Sequence, residues 1–265
     1  MSASQPDPRH NDRSTPDVSR EIFDHDYSPL GSSVHVGDEF NQITDRFAFG
    51  EVWATSGLDD RRKMLVSVAC VAASGGDELA ALLRAGLRRG ISPEELQEVF
   101  HQIAPYVGIS RARCGLQELH SSVDALIGIQ ATVTENDRLA KGIAAQKTMF
   151  GDGIDTMRDN APEDERFIQD ALSAYCFGDT YTRKALNLAD RELLTWVAII
   201  SIGGCDPQAR AHVAGNLAVG NDRSSLIGAL AVCVPWIGFP RSLNALAAIN
   251  SQTNNGDAEH NDKEL

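Results

Sequence analysis

The stretch FAFGEVWATSGL (47–58) returns later in the chain as YCFGDTYTRKAL (175–186), and this recurrence decides the fold. Phe49-Gly50 aligns with Phe177-Gly178 at a shift of 128. Further on, Arg62-x-x-Leu65 aligns with Arg191-x-x-Leu194 at a shift of 129. Gly90 then meets Gly220, and IAPYVGIS (103–110) meets VCVPWIGFP (232–240), both at a shift of 130. Landmarks that persist in order with so little drift imply one domain present twice, with two single-residue insertions in the second copy.

Between the landmarks the pattern is helical. Met64, Leu65, Val68 and Val71 recur at helical spacing over 59–74, as do Leu79, Leu82, Leu83 and Leu87 over 77–89. Gly90 is a natural stop for the latter. Ser92-Pro93-Glu94-Glu95 starts the next helix: Ser92 caps, Pro93 suits the first turn, and Glu95 completes a capping box. A further helix from about Ser110 carries Leu116, Leu119, Val123 and Leu126. Alternating strand patterns are scarce, so the fold class is all-α, a tandem repeat of two helical domains. Residues 1–36 and 251–265 are polar, rich in Ser, Asp, Asn and Pro, and are expected to form disordered tails. The first domain is placed at 37–128 and the second at 129–250.

Composition narrows the function. The net charge is −13 and no long Lys/Arg run occurs, which argues against nucleic acid or an anionic membrane as partner. No apolar leader opens the chain, and the longest apolar stretch, Leu226–Phe239, is too short to span a bilayer. Five cysteines with no CxxC pair fit a reducing cytoplasm. Cys70, Cys176 and Cys233 lie among apolar residues, where buried thiols are common.

Three blocks of the first copy, FGEVW (49–53), DELAALLRA (77–85) and GISPEEL (90–96), together resemble the carboxymuconolactone decarboxylase family. The second copy is more diverged, and its beginning, LAKGIAAQKTMFGDGI (139–154), resembles the family's amino-terminal helix. The C-x-x-C-x-x-x-H motif of the related thiol peroxidases is absent from both copies. Cys205 matches its first cysteine, but Gln208 stands where the second belongs. The resemblance implies helical subunits assembled as rings. Two fused copies fill two ring positions, so a homotrimer of the tandem chain is expected. It also implies a cofactor-free, metal-free decarboxylase, or a related proton-transfer enzyme, acting on a small carboxylated lactone or similar metabolite.

Such a reaction needs a group that binds carboxylate, a group that stabilises the enolate, and a proton source. The family histidine that precedes LRA is Leu82 in the first copy and His212 in the second. A second family histidine falls at Gln102 and Val232, and is lost in both. Glu51, Arg84 and Glu98 stand in the first copy where Asp179, Ala214 and Gly228 stand in the second. The register therefore implies His212, Glu51 and Glu98 as catalytic residues, with Arg84 and Trp53 binding substrate. This split retention admits a composite site between copies, and it equally admits simple decay. Each residue also has a plainer reading. His212 and Glu98 read as solvated positions on helix faces, Glu98 beside Glu94 and Glu95. Glu51 reads as a loop-fixing carboxylate, and Arg84 as a partner of Asp77 or Glu78. A non-catalytic oligomer that binds a small ligand, and a thiol antioxidant, remain the alternatives.

Overall fold

A computed structural model describes residues 22–23, 38–123 and 131–253. Among the described residues there is no strand. In chain order, the first unit comprises α1 (Asp38–Asp45), the π-helical segment π1 (Arg46–Trp53), α2 (Asp60–Ser74), α3 (Leu79–Arg88), α4 (Pro93–Val107) and α5 (Ile109–Ser122). The second comprises α6 (Arg138–Phe150), α7 (Gly153–Asp159), α8 (Arg166–Ala171), π2 (Leu172–Tyr181), α9 (Leu188–Ile202), α10 (Asp206–Ala218) and α11 (Arg223–Thr253). The second half repeats the first element by element: π2 matches π1, α9 matches α2, α10 matches α3, and α11 matches α4 and α5 together.

Local chemistry sets these boundaries twice over. The Asp59 side chain caps α2 by accepting from the Arg62 N–H, and Asn187 caps α9 by accepting from the Asp190 N–H. Both helices are 15 residues long. The capping box expected at Ser92 and Glu95 forms on α4. Gly108 (φ 87°) breaks α4 from α5, and its counterpart Gly238 (φ 75°) kinks α11 at the equivalent place. Over one stretch α11 is long and apolar enough to cross a membrane by composition alone. Here it is two helices joined at that kink, and Leu226, Val232, Cys233, Ala245 and Ile249 lie buried in the core.

The caps correct the alignment of the two copies. Asp59 with Asn187 gives a shift of 128, so Arg191 stands opposite Lys63 and not opposite Arg62. Side chains agree: Arg111 donates to the Ala73 carbonyl, and Arg241 donates to the Ser201 carbonyl in the same way. Both inserted residues therefore lie in the single loop that contains Gly204 and Cys205. On this register Glu192 replaces Met64 and Thr195 replaces Ser67.

The two units share one core. Helix α9 packs on α2 and on α4, and α11 packs on α2 and π1, so each unit's central helices face the other. An ion cluster seals one end, where Arg61 and Arg62 both hold Asp190 at 2.8 Å. In the second unit, α6 lies directly on π2: a Cβ on Gly142 would sit 1.9 Å from the Ser173 carbonyl oxygen, and one on Gly178 would sit 2.2 Å from that of Arg138. Of the amino-terminal stretch expected to lack order, Ile22 and Phe23 are buried, with Phe23 edge-on to Phe49 at 5.1 Å. The remainder of residues 1–36, residues 254–265 and Leu126 lie outside the described residues.

Candidate functional site

His212 projects from α10 into the seam between the units. It is 8% exposed, so the expectation of a solvated helix position is corrected. Its Nδ1 lies 2.6 Å from Glu192 Oε1 on α9. Tyr181, at the end of π2, donates to the other carboxylate oxygen at 2.6 Å. A carboxylate accepts from both, so the imidazole donates through Nδ1 and leaves Nε2 for proton transfer. Two rings clamp the imidazole edge-on, Phe150 at 5.4 Å and Tyr106 at 5.6 Å. Tyr106 comes from α4 of the first unit, so the surroundings of His212 are shared between copies.

Behind this pair runs a chain of hydrogen bonds. Thr195 Oγ1 lies 2.8 Å from the Tyr181 hydroxyl and accepts from Gln102 at 3.0 Å. Gln102 accepts in turn from Arg191 at 3.0 Å. Arg191 ends the chain on Glu98, at 2.8 Å. On the near side, the Tyr106 hydroxyl accepts from the Cys176 thiol at 3.1 Å and lies 3.4 Å from the Tyr181 hydroxyl. Burial pushes both tyrosine hydroxyls well above their ordinary range and the Cys176 thiol up to about 12. At neutral pH all three are therefore protonated donors.

Of the residues expected from sequence, the structure brings His212 and Glu98 into this one network. Glu98 is fully buried, not on a solvated face, and both its oxygens are held by cations: Arg183 at 2.7 Å and Arg191 at 2.8 Å. It anchors the far end of the chain and does not touch His212. The other three lie elsewhere. Glu51 is exposed on π1, 3.6 Å from Arg46. Arg84 is exposed on α3. Trp53 is buried in the first unit, where Lys63 Nζ lies 6.0 Å from its ring centroid.

Trp53 occupies the position that Tyr181 holds in the second unit. Most of the counterpart site is apolar: Leu82 stands for His212, Met64 for Glu192, Trp236 for Tyr106, Val232 for Gln102 and Gly228 for Glu98, while Ser67 stands for Thr195 and Lys63 for Arg191. Sequence reading missed Glu192, Tyr181 and Tyr106. Glu192 was hidden by the one-residue alignment error. The tyrosines sit in apolar blocks that read as core, and the Tyr106/Trp236 and Tyr181/Trp53 exchanges were the signal available. Cys205 is half-buried just before α10, and all five cysteines are free thiols. Among the described residues no group of three His, Cys, Asp or Glu side chains is placed to hold a metal.

Two fused, quasi-equivalent helical units with an acid–base network at one of two seams define the class. The chain belongs to the carboxymuconolactone decarboxylase family, whose profile matches residues 38–120 and 168–251, together more than half of its length. It is similar to the 4-carboxymuconolactone decarboxylase of Acinetobacter baylyi, with 34% identity over 79 residues. That match covers 29% of this chain and 59% of the relative, so the chain spans less than two thirds of the relative's length.

Proposed function

We propose that the protein is a cofactor-free decarboxylase, or a related proton-transfer enzyme, working on a small carboxylated lactone at His212. The observation that carries this reading is the buried His212–Glu192 pair, fixed by Tyr181, with the Tyr106 ring edge-on to the imidazole. Glu192 holds one tautomer and stabilises the imidazolium, which is the task a buried carboxylate performs for a catalytic histidine. In the decarboxylation, the bond from the ring to the carboxylate breaks and carbon dioxide leaves. The electron pair passes into the unsaturated lactone as a dienolate. The Tyr106 hydroxyl would donate to the enolate oxygen, and the Nε2 proton of imidazolium would be delivered to carbon. The name of the Acinetobacter relative supplies the first substrate to try.

The experiment follows carbon dioxide release from 4-carboxymuconolactone by the wild-type chain, His212→Ala and Glu192→Gln. Removal of the proton-transfer group should lower kcat by roughly 10²–10⁴. Glu192→Gln should lower kcat with little change in KM, because it disturbs the tautomer and not the binding surface. Turnover by His212→Ala at the wild-type rate would sink the reading. An inert wild type would refute this substrate, and a panel of related carboxylated lactones would then decide the class.

A further inference from the structure

The largely apolar counterpart site of the first unit is not simply filled in. A cavity of about 300 Å³ opens against it, between α1, π1, α2 and the start of the α11 kink. Ala48, Phe49 and Trp236 line it, at the positions that Cys176, Phe177 and Tyr106 hold beside His212. Phe40, Phe47 and Pro235 complete an aromatic and apolar wall. The volume is at the lower end of the range for small-molecule sites. Two carboxylates also line it, Asp45 and Glu78, while no Lys, Arg or His does so among the described residues. The Asp45 Oδ1 is buried and has no hydrogen-bond partner. A buried acceptor left without a donor is costly, and it adds to the uncompensated negative charge beside the cavity.

We propose that this cavity is a second, non-catalytic binding site that takes a small organic cation, an amine joined to an aromatic or branched apolar body. The ammonium group would lie against the Asp45 and Glu78 carboxylates, and its charge would offset theirs. Aromatic faces attract such a cation through the ring quadrupole. Burial also raises the pKa of both carboxylic acids above the ordinary range, which is the expected state of acids that lack a counter-charge. No counterpart of the His212, Glu192 or Gln102 chemistry survives here, so nothing in the cavity would turn the ligand over. The anionic substrate proposed for His212 is of the wrong charge for it. The two sites therefore divide the repeat into one that reacts and one that binds, and the second claim does not depend on the first.

The test is titration calorimetry on the full chain in its native assembly, with three probes of nearly equal shape: phenethylammonium, 2-phenylethanol and 3-phenylpropanoate. Saturable binding of phenethylammonium is expected, with the alcohol and the carboxylate weaker by about tenfold or more. Asp45→Asn should weaken the amine by a similar factor, while Glu163→Gln, an exposed acid on the other unit, leaves it unchanged. Equal affinity for all three probes, no saturable amine binding, or an unaltered Asp45→Asn would each overturn the proposal. If Asp45→Asn fails to fold, the three-probe comparison on the wild-type chain decides alone.

Discussion

At the scale of single residues, burial separates the groups that sequence placed on an equal footing. Glu98 and Arg84 were both candidates from the same register, yet one is sealed between two cations and the other is in solvent. Glu98→Gln leaves Arg183 and Arg191 without their shared counter-charge, and should cost about 3 kcal/mol or more in a denaturant titration. Arg84→Ala should stay within about 0.5 kcal/mol, as surface changes do. Equal effects would mean the network is not formed. The thiols give an independent check. Exposed Cys114 should be alkylated by iodoacetamide at pH 8, while Cys70, Cys176 and Cys233 should resist until the chain is unfolded, read by mass spectrometry. The sign of the pH effect follows as well. Cys176 holds its proton up to about 12 in the fold against an ordinary value of 9.0, and Tyr106 and Tyr181 are raised in the same sense. Between those values the unfolded chain has lost a proton that the folded chain keeps. Stability is therefore full below about pH 9 and falls as pH rises, by up to about 1.4 kcal/mol per pH unit for each such group. A denaturation midpoint that holds steady from pH 8 to pH 11 would contradict this.

At the scale of elements, most of the fold was legible because helix signals are local. Caps, the capping box and the stop glycines lie within a turn of what they control. The site was less legible, because its polar groups face across the seam between copies. Helix α4 shows why. It packs on α2 with one face and on α9 with another, so Glu98 and Gln102 are buried where a single-faced helix would expose them. Periodicity read from one chain assumes one buried face. The close approach at Gly142 and Gly178 was likewise hidden, although Gly178 served as a landmark of the repeat. Gly142 lets α6 lie against the carbonyl of Ser173, and π2 beyond it carries Tyr181 to Glu192. Gly142→Ala should therefore cost about 3 kcal/mol or more and lower turnover by moving π2. Gly153→Ala, where an added methyl meets nothing within 4 Å, should do neither. Thermal melts of the two variants measure the contrast.

At the scale of the whole molecule, the repeat determines which surfaces are left over. In the first unit Phe40, Ile43 and Ile109 are large apolar side chains with about half or more of their surface in solvent. In the second unit Phe167, Ile168, Phe239 and Leu243 are exposed to the same degree. The positions correspond: Phe40 matches Ile168 by the shift of π1 to π2, and Phe239 matches Ile109, which is also exposed. Exposed large apolar side chains at matching places on both units point to contact with further copies. The seam inside the chain already joins a first unit to a second. A ring needs a different contact between the second unit of one chain and the first unit of the next, and a head-to-tail contact closes when its rotation divides a full turn. Three tandem chains would then make six positions, which is the homotrimer expected from the resemblance. Multi-angle light scattering on the wild-type chain should give the mass of three chains. Phe167→Glu with Ile168→Glu places charges at the outer face of the second unit only, and should yield monomers with an unchanged helical circular dichroism spectrum. His212 lies at the inner seam, so its pairing with Glu192 should survive dissociation, and any turnover the trimer shows should persist in part. A wild type that is monomeric at micromolar concentration would remove the ring altogether. A charged double variant that remains trimeric would keep the ring and place its contact on another face.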